Sequence, residues 1–336
     1  MDTRHFKMAE KLDYSFQIYL TNIINFISTP INFLGFFLIL TRSKLSLPLY
    51  RYTLLANNLF LYIAQLHWGT TFNLVSLFPF PAFVVGGLAK NLLEFKVLAV
   101  IWMLPFSLSV VTTFHCLLAR LKIIVHPNSI IYFKTRGYIF IASLILIYVV
   151  TGAFLILYFA WPNEFESRRR LPQLYPNCLE ILENPHAILL TGTSDIDSMI
   201  LVAKISLGSG SILFLALYIL ITCEIKNQST IMSSKAQVFH RDSVRDMLIQ
   251  TIIKGISIIL APLALLYCFM LDASKDTRTF NAISMSIFVG ASIPSTIAMM
   301  IQTKAYRGYI LFIFTGKPEE TSRSTMFRKS VIEIKI

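Results

Sequence analysis

Seven long apolar blocks run along the chain, at about 15–41, 51–78, 97–119, 137–161, 199–223, 247–271 and 279–303, with short polar breaks between them. A helix of roughly 20 apolar residues crosses about 30 Å of hydrocarbon at 1.5 Å per residue, and each block reaches that length. The fourth block, GYIFIASLILIYVVTGAFLILYFAW, is the purest, while Asn57, Asn58, Gln65 and His67 interrupt the second. Only helices and closed barrels satisfy their backbone in lipid, and blocks this long exceed barrel strands. The pattern predicts an all-α membrane protein, a bundle of seven transmembrane helices. Residues 1–14 are polar and the first apolar run is of full spanning length, which predicts an anchored first helix rather than a cleavable leader. Residues 304–336 read as a polar tail that opens with a short membrane-surface helix. No internal repeat of the transporter kind is visible.

Composition agrees. Of 336 residues, 55% are apolar and 14% charged, with a mean hydropathy of +0.64; a soluble domain carries about 25% charged residues. Charge then orients the bundle. One set of alternate breaks (42–51, 120–136, 224–246 and 304–336) holds 18 Lys/Arg against 6 Asp/Glu, and the other set holds 10 against 12. The short loops steer topology most strongly. Two of them carry Arg42, Lys44, Arg51, Arg120, Lys122, Lys134 and Arg136 without one acid. This predicts an extracellular N-terminus at 1–14 and a cytoplasmic C-terminus. The net charge of +12 reads as orientation and contact with anionic membrane lipid, not as a nucleic-acid footprint. The sequon Asn227-Gln228-Ser229 falls on the cytoplasmic side and is predicted to be silent.

The four cysteines stand singly, and no Cys/His cluster suggests a metal or a cofactor. Cys178 and Cys268 both fall near the outer surface, where they either pair in the oxidising exterior or remain free. No nucleophile motif, metal array or acidic pair points to an enzyme. Three ionisable side chains lie within the spans, His67, His115 and Lys254; the lysine is expected to snorkel inward. Thr112, Thr113 and His115 read as hydrogen-bonding residues between helices.

The third span closes with Ala119-Arg120-Leu121-Lys122-Ile123-Ile124-Val125-His126-Pro127. This resembles the Asp-Arg-Tyr…Ile-Val-His-Pro segment of rhodopsin-like G-protein-coupled receptors, with Arg120 at the arginine position. The acid and the aromatic of that pattern are Ala119 and Leu121. Phe95 stands where the family has its bridging cysteine, and Ser292-Ile293-Pro294-Ser295-Thr296-Ile297 lacks the usual tyrosine. Over about residues 28–315 the chain is similar to nematode serpentine chemoreceptors of the class I or class H type. The stretches that carry this are Ser28–Gly35, Tyr50–Leu55, Leu77–Pro81, Tyr175–Asn177 and Lys304–Tyr309.

That resemblance implies a GPCR-like bundle, a small-molecule ligand, a heterotrimeric G protein and the plasma membrane of a sensory-neuron cilium. It also implies that Arg120 engages the G protein once helix six, kinked at Pro262, swings outward. In the resting state the arginine would pair with Asp242, 20 residues before the proline; otherwise Asp242 belongs to the solvated Arg241/Asp242/Arg245/Asp246 cluster and Arg120 is a positive-inside anchor.

Five helical turns, about 27 Å, separate Arg120 from Trp102 on the same face. Phe106 is one turn further in, and His67, Trp68 and Tyr267 lie at a similar outer depth. Together they predict an aromatic pocket for an apolar or weakly polar ligand; ordinary helix packing would use the same residues. The rival functions are a seven-span channel or carrier and a non-signalling membrane protein. A carrier would show repeat symmetry or a mid-membrane carboxylate, and ligand-dependent G-protein recruitment separates the receptor from all of them.

Overall fold

A computed structural model describes residues 15–42, 48–77, 82–159, 168–169, 184–189, 193–228, 233–271 and 276–316. Helix α1 covers Ser15–Arg42 and α2 covers Pro48–Leu66. A π-helical turn, His67–Phe72, leads into strands β1, Leu74–Ser76, and β2, Ala82–Val85. Helices α3, Phe95–Ile124, and α4, Thr135–Phe159, follow, then strand β3, Ala187–Leu189. Helices α5, Thr193–Asn227, and α6, Ser234–Phe269, come next. The last elements are α7, Arg278–Val289, α8, Ser292–Gln302, and α9, Lys304–Thr315. Residues 1–14, Lys44, Tyr175–Asn177, Cys178 and the tail beyond Gly316 lie outside the described residues.

Five helices, α1, α3, α4, α5 and α6, are each long and apolar enough to cross a membrane, and α7 with α8 makes a sixth span bent by 42°. Helix α2 completes the seven-helix bundle although it is too polar to qualify by composition. Its polar residues point inward: Asn57, Asn58 and Gln65 are all buried. Helix α3 runs through the middle, packed against α2, α4, α5 and α6. One apolar core lies around its N-terminal half and the strands, another around its C-terminal half. The two ends of the bundle are called here the sheet end and the basic end, the latter carrying Arg42, Arg51, Arg120 and Lys122.

The bundle is not purely helical. Strands β1, β2 and β3 form an antiparallel sheet, with Val75 opposite Val84 and Phe83 opposite Ile188. The apolar block at 51–78 reads as one helix, yet the helix stops at Leu66. Thr70 Oγ1 bonds back to the Leu66 carbonyl at 2.6 Å, and the Asn73 amide donates five residues back to Trp68 at 2.6 Å. Asn73 then takes a left-handed conformation (φ 40°), which asparagine tolerates better than most residues. That turn redirects Leu74–Ser76 into a strand, and an apolar run of this length carries no periodicity to separate strand from helix. Gly69 lies where a Cβ would clash with Asn25 and Val289, so it lets the turn press against α1 and α7.

Helix α9 begins at the basic end. Tyr306 is buried, and Tyr309 lies under the Arg42 guanidinium at 3.8 Å. Leu311, Phe312, Ile313 and Phe314 are exposed, so the last turn of the helix is apolar all round, as suits contact with lipid.

Candidate functional site

At the basic end, Arg120 is 7% exposed, and its guanidinium stacks 3.6 Å above the ring of Tyr50, near the start of α2. Arg120 Nε is buried with no hydrogen-bond partner among the described residues. The expected pair with Asp242 is not made. Asp242 instead meets Arg245 one turn along α6 at 3.7 Å, and Arg245 also reaches Asp246 at 3.5 Å. These are partly exposed contacts on one helix, of the kind worth little in stability. A ring face near a desolvated guanidinium contributes about 2 kcal/mol, so Tyr50 takes the role that a carboxylate was expected to fill. Pro262 lies within α6, which continues through it, on an exposed face.

A second carboxylate does hold this end together. Glu224, 4% exposed near the end of α5, accepts a short hydrogen bond from Ser129 in the turn after α3. One turn on, Gln228 Nε2 donates to the Ile124 carbonyl at 2.7 Å.

Toward the sheet end, three of the five side chains expected to form a pocket are gathered, and His67 and Tyr267 are not. Trp68 meets Trp102 edge-to-face at 4.5 Å, and Phe106 stacks on Trp102 at 5.1 Å. Phe288 of α7 closes the group, 5.3 Å from Trp68 and 6.0 Å from Trp102. The sequence reading missed Phe288, whose helical phase is obscured by the break in span seven. His67 is turned aside, with Nε2 3.0 Å from the Leu98 carbonyl. Tyr267 does not belong: it is 60% exposed and faces away from the bundle, because equal depth along α6 does not fix which face a residue occupies. Trp102 Nε1 is buried with no acceptor among the described residues. Leu74, Val85 and Ile188 of the sheet cover the cluster. Cys268, also in this core, is a free thiol; Cys178, its expected partner, lies outside the described residues.

Lys254 does not snorkel. It is 6% exposed and its Nζ lies 3.3 Å from Asn57 Oδ1, 3.5 Å from the Ser109 carbonyl and 3.2 Å from Thr113 Oγ1. Asn57 Nδ2 donates across to Thr112 Oγ1 and Thr113 Oγ1, and His115 Nε2 lies 3.1 Å from the Ala142 carbonyl of α4.

Gln65, visible in the sequence only as an interruption, bridges the break in span seven. Its Nε2 donates to the Phe288 carbonyl at 3.2 Å, and its Oε1 accepts from the Ser292 amide at 2.9 Å. The two backbone groups released by the 42° bend thus find partners inside the bundle. Gln65→Leu is expected to cost about 1–2 kcal/mol and lower the thermal midpoint of the purified chain by about 1–3 °C. An unchanged midpoint would mean that the bend needs no outside partner.

A family model described as serpentine type 7TM GPCR chemoreceptor Srh matches residues 13–316. Among solved structures, squid rhodopsin superposes with a TM-score of 0.61 at 12% identity, over 98% of this chain and 95% of that one. A likeness at that identity speaks for the fold alone. No curated protein matches the chain. Among the described residues no group of three or more His, Cys, Asp or Glu is placed to hold a metal ion.

Proposed function

Since the chain belongs to the Srh family of serpentine seven-transmembrane chemoreceptors, we propose that it senses a small apolar or weakly polar ligand at the sheet end and signals to a heterotrimeric G protein at the basic end. It is thus read as a multi-pass receptor of the plasma membrane, by family likeness that of a sensory cilium. The observation that carries this reading is Arg120: a buried arginine at the basic end of the central helix, held by a neutral ring rather than by an acid. A cation–π contact releases its cation at a cost within reach of ligand binding energy. The aromatic cluster supports the ligand half of the proposal. Its unused donor, Trp102 Nε1, favours ligands that carry one acceptor oxygen over pure hydrocarbons.

The test is ligand-dependent recruitment of a G protein by the intact chain across a panel of volatile ketones, esters, alcohols and alkanes. Recruitment by none of them, from a protein shown to be at the cell surface, counts against the receptor reading. The orientation is tested separately. With the basic end cytoplasmic, as proposed, Asn227 is expected to carry no glycan when the chain is expressed in cells. A glycan on Asn227, read as an endoglycosidase-sensitive mass shift lost in Asn227→Gln, would invert the bundle.

A further inference from the structure

We propose that the buried ammonium of Lys254 and the small cavity of mixed polar and apolar lining beside it form a binding site for one small monovalent anion, of which chloride is the type. The three contacts of Lys254 Nζ are to neutral oxygens, at 3.2–3.5 Å. Ammonium groups in well-matched charge-assisted bonds lie nearer, at about 2.7–2.9 Å. The lysine is therefore loosely solvated by the protein, with no carboxylate among its contacts. Helices α2, α3 and α8, which surround it, contain no Asp or Glu. Asp246, the acid of α6 nearest in sequence, is eight residues away, about 12 Å along the axis. The other buried cation here, Arg120, is two turns along α3 from Thr113, about 10 Å. With no acid among its contacts, the ammonium makes this part of the bundle interior positive, and an uncompensated charge in a low-dielectric setting is expensive.

The cavity has the size and lining to supply the missing partner. Its volume is about 30 Å³, room for one or two water-sized spheres. Besides Lys254 itself, Asn58, Gln250, Thr251 and Ser295 border it and bring amide and hydroxyl groups. A halide fits this space more closely than sulfate, gluconate or an organic carboxylate does. Because the cavity is shared among α2, α3, α6 and α8, an anion in it ties α6 to the other three and stabilises this arrangement of the bundle. The proposal rests on the cavity alone and stands whether or not the chain is a receptor.

The experiment is a thermal midpoint measured on the purified full chain in lipid nanodiscs at constant ionic strength. Chloride or bromide replacing gluconate is expected to raise the midpoint by about 3–5 °C, saturably, while sulfate is not. Lys254→Gln is expected to abolish the halide increment. Should that variant fail to fold, Ser295→Val, which fills the cavity and leaves the ammonium in place, is expected to abolish it as well. A midpoint in the intact chain that is indifferent to halide would show a cavity holding water only and would overturn the proposal. So would a halide increment of equal size in Lys254→Gln.

Discussion

Arg120→Ala is expected to reach the cell surface at the normal level and to lose ligand-evoked G-protein signalling entirely. The side chain is buried among α2, α3 and α6, but its removal leaves no orphaned acid, because its contact is the ring of Tyr50. Folding should therefore survive. Coupling should not, since a guanidinium that reaches into a bound G protein has no substitute at the end of α3. Tyr50 supplies the complementary result. Tyr50→Leu removes about 1–2 kcal/mol that favours the resting arrangement, so basal signalling is expected to rise severalfold. Asp242→Asn, by contrast, disturbs only a partly exposed pair with Arg245 and is expected to leave basal signalling unchanged. Normal ligand-evoked signalling from Arg120→Ala at normal surface level would remove the arginine from the coupling machinery. A rise with Asp242→Asn but none with Tyr50→Leu would restore the acid as its resting partner.

Phe106→Ala is expected to shift the dose–response curve to higher ligand concentration by at least tenfold. Phe106 stacks on Trp102 and lies 6.3 Å from Phe288, so a ligand lodged among these rings touches it. Losing an aromatic contact of that kind costs about 2–4 kcal/mol, and 1.4 kcal/mol is already tenfold. Truncation could equally loosen α3, so surface level is measured beside potency. Leu104→Ala serves as the control, because Leu104 is 46% exposed on another face of the same helix. Equal shifts in both variants, or none in either, would move the ligand site elsewhere.

The sequence is most legible where one physical demand dominates. Continuous apolarity placed α1 at Ser15–Arg42 and α4 at Thr135–Phe159, within two residues of the hydropathy blocks. Helix α6 begins at Ser234 rather than near 247, because its first turns are too polar for a hydropathy scan to register them as helix. The arginine at the end of α3 was readable from Val125-His126-Pro127, but its partner was not. An ion pair leaves two opposite charges in the sequence, whereas a cation–π contact leaves only a tyrosine among fourteen. Trp68, Trp102 and Phe106 were legible from depth and phase. Tyr267 was misplaced because depth was read without phase. Lys254 was recognised as ionisable and wrongly sent to the interface, since nothing local in α6 reveals that Asn57, Ser109 and Thr113 converge on it from two other helices.

The inward polar face of α2 has a consequence for how the chain is made. Asn57, Asn58 and Gln65 find their partners outside α2 on α3, on α6, on α8 and at the break in span seven. While the chain is still emerging from the ribosome those partners do not exist, and α2 alone offers the insertion machinery a segment too polar to partition cleanly into lipid. Helix α2 is therefore expected to enter the bilayer together with α3, so that Asn57 meets Ser109 and Thr113 as the pair leaves for lipid. Yield of the membrane-integrated chain is then expected to depend most on this one helix. Replacing its amides with leucine would ease insertion and, in the same stroke, remove the groups that shape the seventh span.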